Sequence, residues 1–315
     1  MLALAFLTKQ SIPIVLLPFA LAGILFRHGR ALLAVGAAAA LIALSTAVLD
    51  RLHGGWYSFY VLTLPKQHGV VTRMLADFWL WDLSPLLPAA AIGGFYLRSL
   101  RAGAQREGFL FYYPAAVGLV LCSWSGRLFW GGYTNALMPA CAAIALLFGV
   151  GVHSLRGHIA RAPAKSGPSR LLLLHGACLL QFALLAYNPL RCLPTRADTE
   201  AGMRLVEQIR AVDGPVFAPC HGDLVSLAGK PTFAHQVAIG DLLQYPGEPA
   251  RAVAQELGRA IRERRFGAIL LDTPWLGKEV EEHYEARPVA YDAEDTFREV
   301  VGERVRPALL YLPRH

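Results

Sequence analysis

Charge is scarce in this sequence, and acidic charge is scarcest where the chain is most apolar. Asp, Glu, Lys and Arg make up 17% of the 315 residues, against about 25% in ordinary soluble domains, which argues against a wholly water-soluble protein. Residues 1–187 hold 4 Asp/Glu against 14 Lys/Arg, whereas residues 188–315 hold 19 against 16. The two parts thus carry +10 and −3, which sum to the net charge of +7. Five cysteines are scattered, with no CxxC or zinc-ligand spacing, so no metal site of that kind is expected. Cys122, Cys141 and Cys178 fall in apolar runs and read as small hydrophobes, while a bridge between Cys192 and Cys220 stays open. No basic segment precedes the apolar N-terminus and no small-residue cleavage site follows it, so it does not read as a signal peptide. The basic excess lies between apolar stretches, where membrane topology explains it, and no nucleic-acid partner is expected.

Long apolar runs are what the chain does have. A bilayer core about 30 Å thick needs about 20 residues of helix. Six stretches qualify or nearly do: 11–26, 31–49, 83–97, 109–123, 136–152 and 171–187. They predict a membrane all-α unit of about six transmembrane helices over residues 1–187, followed by a soluble α/β domain over 188–315. The loops Arg27–Arg30, Arg98–Glu107 and Arg156–Arg170 (with Arg161 and Lys165) together carry nine Lys/Arg and one acid. Loops 50–82 and 124–135 alternate with them and are mixed or nearly neutral. The positive-inside rule places the basic loops in the cytoplasm, and both termini and the tail outside it. Loop 50–82 holds Gly54-Gly55-Trp56-Tyr57-Ser58-Phe59-Tyr60, which predicts an interfacial helix on the outer leaflet or an aromatic belt.

The tail alternates helical and strand patterns: helices over 198–211, 249–265 and 276–285, strands over 216–218, 267–271 and 308–312. That order favours a small sheet flanked by helices. Cys220-His221-Gly222-Asp223 follows the first strand. A Cys adjacent in sequence to its His rarely has catalytic geometry, and a strand-end turn accounts for the motif.

Charged residues at membrane spans are expensive and therefore candidates for function. Lys9-Gln10 opens the first span. His53, Lys66, His68 and Asp77 lie in the aromatic loop. Arg127 follows Trp124-Ser125-Gly126, and Gly131-Gly132-Tyr133-Thr134-Asn135 leads into the next helix at Pro139. Arg127 has a fork suited to phosphate oxygens, set against a snorkelling interfacial arginine. Lys9 is a second cation, more simply an ordinary flank. Tyr133 and Asn135 suit a sugar hydroxyl, although Asn at a helix start is usually a cap. Asp77 is a weak candidate base, and Asp82, ahead of Ser84-Pro85, reads as a helix-start residue.

The stretch Trp124-Ser-Gly-Arg127-Leu-Phe-Trp-Gly131-Gly-Tyr-Thr-Asn135-Ala-Leu-Met-Pro139 resembles the Gly-Gly/Asn/Pro segment of polyprenyl-phosphate-dependent membrane glycosyltransferases, the GT-C class that includes protein O-mannosyltransferases and aminoarabinose transferases. Thr8-Lys9-Gln10 and Gly54-Gly55 with its aromatics are similar to the same group in the same order. The resemblance covers most of residues 1–187. It implies transfer of a sugar from a polyprenyl-phosphate donor to a glycan, lipid or protein acceptor, outside the cytoplasmic membrane of a bacterium. No separate cofactor is identified, because the donor is already lipid-linked. The family also carries an acidic catalytic residue on a first external loop, and nothing ahead of Lys9 supplies one, so this chain is expected to be the C-terminal part of a longer enzyme. The alternative is a non-catalytic membrane protein whose α/β tail binds a glycan or protein partner. A transporter is a third, weaker reading, because there is no internal repeat and almost no mid-membrane charge.

Overall fold

The computed structural model describes residues 2–103, 105–161, 163, 167–291 and 306–314; Lys165 of the third basic loop lies outside them. The chain divides into two compact units, Met1–Tyr187 and Asn188–His315.

The first unit is helical. Helices α1 (Leu2–Thr8), α2 (Pro13–Leu25) and α3 (Gly29–Leu52) are followed by short turns, among them α4 (Trp56–Ser58) and α5 (Met74–Asp77). Helices α6 (Leu87–Ala102), α7 (Arg106–Leu128), α8 (Met138–Ala160) and α9 (Gly167–Leu184) complete the unit. Four segments are long and apolar enough to cross a membrane: Gly29–Leu52, Arg106–Leu128, Thr134–Ala160 and Gly167–Cys192. These four segments do not by themselves confirm the expected count of six. Helix α2 has 13 residues and α6 has 16, roughly 20 and 24 Å of helix against a hydrocarbon core of about 30 Å. The chain between α3 and α6 also departs from a single interfacial helix. Gly54 and Gly55 take positive φ values of 58° and 90°, and Pro65 and Pro85 interrupt the run. Short α, 3-10 and π turns result, with Trp56, Tyr60, Trp79 and Trp81 exposed.

Two neighbouring helices meet through reciprocal small residues. A Cβ on Gly93 of α6 would lie 2.8 Å from the Leu147 Cβ on α8, and one on Gly151 of α8 would lie 2.8 Å from the Ile92 carbonyl oxygen. Such contacts let helix backbones approach where no hydrophobic effect drives them together. Both α6 and α8 begin at a proline, and their first-turn backbone groups need partners from elsewhere. The buried Gln181 of α9 meets that need for α6, accepting from the Ala89 N–H (2.8 Å) and donating to the Pro85 carbonyl (2.9 Å). For α8, the buried Ser123 hydroxyl on α7 accepts from the Ala140 N–H at 2.9 Å.

The second unit holds α10 (Arg196–Arg210), β1 (Val216–Phe217), α11 (Gly222–Leu227), α12 (Gln236–Gln244), α13 (Glu248–Arg262), β2 (Ala268–Leu271), α14 (Gly277–His283), β3 (Tyr284–Arg287) and β4 (Leu309–Pro313). Its mixed sheet runs β1-β2-β4-β3, with β1 and β2 parallel and the other pairs antiparallel. Helix α10 starts at a capping box. The Thr195 hydroxyl accepts from the Asp198 N–H, and the Asp198 carboxylate accepts from the Thr195 N–H. The α10 residues Leu205, Val206 and Ile209 pack with Val216, Ala268 and Leu270 on one side of the sheet, and Ile261, Val280 and Tyr284 with Phe217, Ile269 and Tyr311 on the other. The helix expected over 276–285 ends at His283, because Tyr284–Arg287 pairs with β4 in the register Glu285 to Leu312. Cys192 and Cys220 are free thiols, so the open disulfide is not formed.

Candidate functional site

Four chain segments meet at one end of the helical unit. Val70 and Phe129 form an isolated antiparallel bridge. The Val71 N–H donates to the Leu128 carbonyl at 2.7 Å, and the Trp130 N–H to the Gly69 carbonyl at 2.9 Å. This pins the aromatic loop to the segment that follows α7. The Lys9 turn is drawn to the same helix, since Cys122 Sγ on α7 donates to Ser11 Oγ at 3.2 Å. At the start of the aromatic loop, Asp50 Oδ1 accepts from the Ser58 N–H at 2.8 Å across the Gly54–Gly55 turn.

The centre of this end is an ion pair between side chains 45 residues apart. Arg127 Nε donates to Asp82 Oδ2 at 2.7 Å and its Nη2 to Oδ1 at 3.3 Å, while Nη1 donates to the Gly132 carbonyl. The two side chains are 12% and 16% exposed. Asp82 therefore does more than begin a helix. It ends a π turn, Phe78–Asp82, and supplies the counter-charge to Arg127. The phosphate-ready fork expected of Arg127 is instead engaged within the protein, with three of its five N–H groups occupied.

The remaining expected site residues are placed more loosely. The Asp77 carboxylate is 35% exposed and only 4.0 Å from Arg73 Nε, so it is held weakly. Lys9 is exposed in the turn between α1 and α2. Tyr133 is 47% exposed, with its carbonyl accepting from the Ala136 N–H. Asn135 lies exposed within a 3-10 turn, Thr134–Leu137. No side chain caps that turn or α8, so the capping role expected of Asn135 is not present.

The α/β unit holds a second polar cluster. The parallel strands β1 and β2 run side by side, with β2 continuing two residues past the end of β1, and ligands in open α/β sheets gather beyond the carboxyl ends of parallel strands. Here the turn after β1 places His221 Nε2 2.6 Å from Asp272 Oδ1, the residue after β2, with side chains 11% and 8% exposed. Among the described residues, Asp272 Oδ2 is buried without a hydrogen-bond partner. Cys220 points elsewhere, its thiol donating to Gln236 Oε1 at 2.7 Å. Burial pushes the Tyr291 hydroxyl up to about 12; the nearby Arg306 opposes this and Asp272 adds to it. Sequence reading singled out His221 but not Asp272, 51 residues away, for which the only local sign is a polar residue ending an apolar strand. Among the described residues no group of three or more His, Cys, Asp or Glu is placed to hold a metal ion. Comparison of the chain with protein-family models, with curated proteins and with solved structures finds no match.

Proposed function

We propose that the protein is a membrane glycosyltransferase, acting alone or within a longer chain, that moves a sugar from a polyprenyl-phosphate carrier to an acceptor hydroxyl at the outer face of a bacterial cytoplasmic membrane. The supporting observation is that Ser11, beside the Thr8–Gln10 segment, and residues 69–71 of the aromatic loop are both hydrogen-bonded to α7 and the Trp124–Pro139 segment that continues it. In this reading α2 and α6 complete the crossings with their flanking turns, and residues 188–315 lie outside the cytoplasm. The acceptor oxygen attacks the anomeric carbon, the bond from that carbon to the phosphate oxygen breaks, and the phosphate leaves with the electron pair. Asp77 takes the hydroxyl proton: its carboxylate is partly exposed and Arg73 Nε stands 4.0 Å away, whereas Asp82 is held by Arg127 and Asp50 by the Ser58 N–H. Lys9 faces the leaving phosphate as a point charge. Arg127 positions the two loops through Asp82 and offers its two remaining N–H groups to the carrier, and Tyr133 and Asn135 hold the sugar.

The test is transfer from a radiolabelled polyprenyl-phosphate sugar in membranes containing the protein. Asp77→Asn should lower turnover by about 100-fold or more, within the usual contribution of a general base, and turnover equal to the parent would remove Asp77 from the reaction. A reporter fused after Tyr187 tests orientation: alkaline phosphatase should be active there, and activity of a cytoplasmic reporter alone would reverse the topology. The internal engagement of Arg127 favours a second reading, a non-catalytic membrane protein whose α/β unit binds a glycan or protein partner. Absence of transfer both by the folded, inserted protein alone and by a longer chain that contains it would select the second reading.

A further inference from the structure

A cavity of about 410 Å³ lies between α2, α3 and α7. Its walls are apolar, with Leu16 and Phe19 from α2, Val35 from α3 and Phe111 from α7; the Phe19 and Phe111 rings stand 6.2 Å apart. Its polar lining comes from Arg30, near the start of α3, Glu107, near the start of α7, and His28, whose Nδ1 is occupied in accepting from the Ala31 N–H at 3.2 Å. Arg30 and Glu107 are exposed, and no ion pair is formed by either among the described residues. Glu107 opens α7 and Arg127 closes it, so about 30 Å of helix, at 1.5 Å per residue, separates this cavity from the loop cluster. It is a different site and does not rest on the transferase reading.

The charges select the occupant. A purely anionic headgroup would meet the Glu107 carboxylate, and a purely cationic one the Arg30 guanidinium. We infer that the cavity binds a membrane phospholipid with an amino-phosphate headgroup of the phosphatidylethanolamine kind. The phosphate lies on Arg30, whose fork suits its oxygens, the ammonium lies on Glu107, and one acyl chain lies against Leu16, Phe19, Val35 and Phe111. The apolar walls and the Arg30 contact to the phosphate supply affinity, and Glu107 supplies headgroup choice.

The experiment uses the full chain reconstituted in nanodiscs with equal amounts of phosphatidylethanolamine and phosphatidylglycerol, with retained lipid identified by native mass spectrometry. The parent should retain phosphatidylethanolamine over phosphatidylglycerol by about tenfold, equivalent to a single well-placed charge contact. Glu107→Gln should bring the ratio close to one while lipid is still retained. Arg30→Gln should lose both lipids, as should Ala34→Phe, which puts a ring into the cavity without touching either charge. Equal retention of the two lipids by the parent would overturn the inference, as would a parent-like preference in Glu107→Gln. Arg30 and Glu107 are surface positions, so these two variants remain decisive even where Ala34→Phe fails to fold.

Discussion

Replacing Asp82 by Ala would leave the Arg127 guanidinium 12% exposed with only the Gly132 carbonyl as a partner. Removing one member of a buried ion pair costs about 3–5 kcal/mol. The residual exposure of both side chains puts this pair at the low end, about 3 kcal/mol. Arg127→Ala should cost a similar amount, since it strands the carboxylate and frees the bridged loop. The double variant removes both charges and leaves neither stranded, so its cost should fall short of the sum by about 2 kcal/mol, within the range for groups in direct contact. Arg127→Lys keeps the charge but cannot span both Asp82 oxygens and the Gly132 carbonyl, and should recover only part. The assay is a double-mutant cycle on the purified protein in detergent, following unfolding by tryptophan fluorescence. Trp79 and Trp124 report locally, because their rings lie 5.8 Å apart beside the pair. Additivity of the two single variants to within about 0.5 kcal/mol would refute the reasoning and make Arg127 an interfacial cation without a structural partner.

Three further outcomes follow from the geometry. His221→Ala removes the hydrogen bond to the buried Asp272 carboxylate, which among the described residues has no partner on Oδ2, and should destabilise the α/β unit by about 1–3 kcal/mol in denaturant unfolding followed by circular dichroism. Gln181→Leu keeps the bulk but deprives Ala89 and Pro85 of their partners; at about 1–3 kcal/mol for each buried group left unsatisfied, the melting temperature in detergent should fall by several degrees. Tyr291 is held protonated by burial, with its hydroxyl pushed up to about 12 against an ordinary value near 10. Its raised value means that stability is fully present below pH 10 and declines as the unfolded chain ionises first, by about 1.4 kcal/mol per pH unit up to about pH 12. An alkaline absorbance titration of the parent and Tyr291→Phe should show one late-ionising phenol missing from the variant.

The long helices were legible because their apolar runs exceed what a surface helix can hide, and α10 because Met203, Val206 and Ile209 recur at helical spacing, although its start was read at Asp198 and the helix begins two residues earlier, behind the capping box at Thr195. Strand β3 was not legible. Glu281-Glu282-His283-Tyr284-Glu285 continues a helical pattern locally, and only the partnership with Leu310–Pro313 makes 284–287 a strand. Each of the six apolar stretches falls on a helix, but only four segments among the described residues are long and apolar enough to cross a membrane, because a run of apolar residues does not tell where a helix starts and stops. At the candidate site the sequence marked Arg127 as an isolated charge and could not show its partner. Asp82 and Arg127 are 45 residues apart, as His221 and Asp272 are 51 apart, and such distances leave no periodic signature. A lone cation and a lone anion at comparable depth in different loops are the sole hint that each satisfies the other.

The hydrogen bonds of Gln181 also bear on how the chain is assembled. Helix α6 is synthesised well before α9, and 92 residues separate Ala89 from the side chain that completes its hydrogen bonding. Until that glutamine arrives, the proline-started end of α6 has an amide and a carbonyl without their final partners, and in hydrocarbon such groups hold a segment back at the water boundary. The short α6 would therefore settle at its final depth only on arrival of the last long apolar helix. Synthesis arrested before residue 181 should leave the α6 entrance open to water-borne labelling, and release past that point should close it.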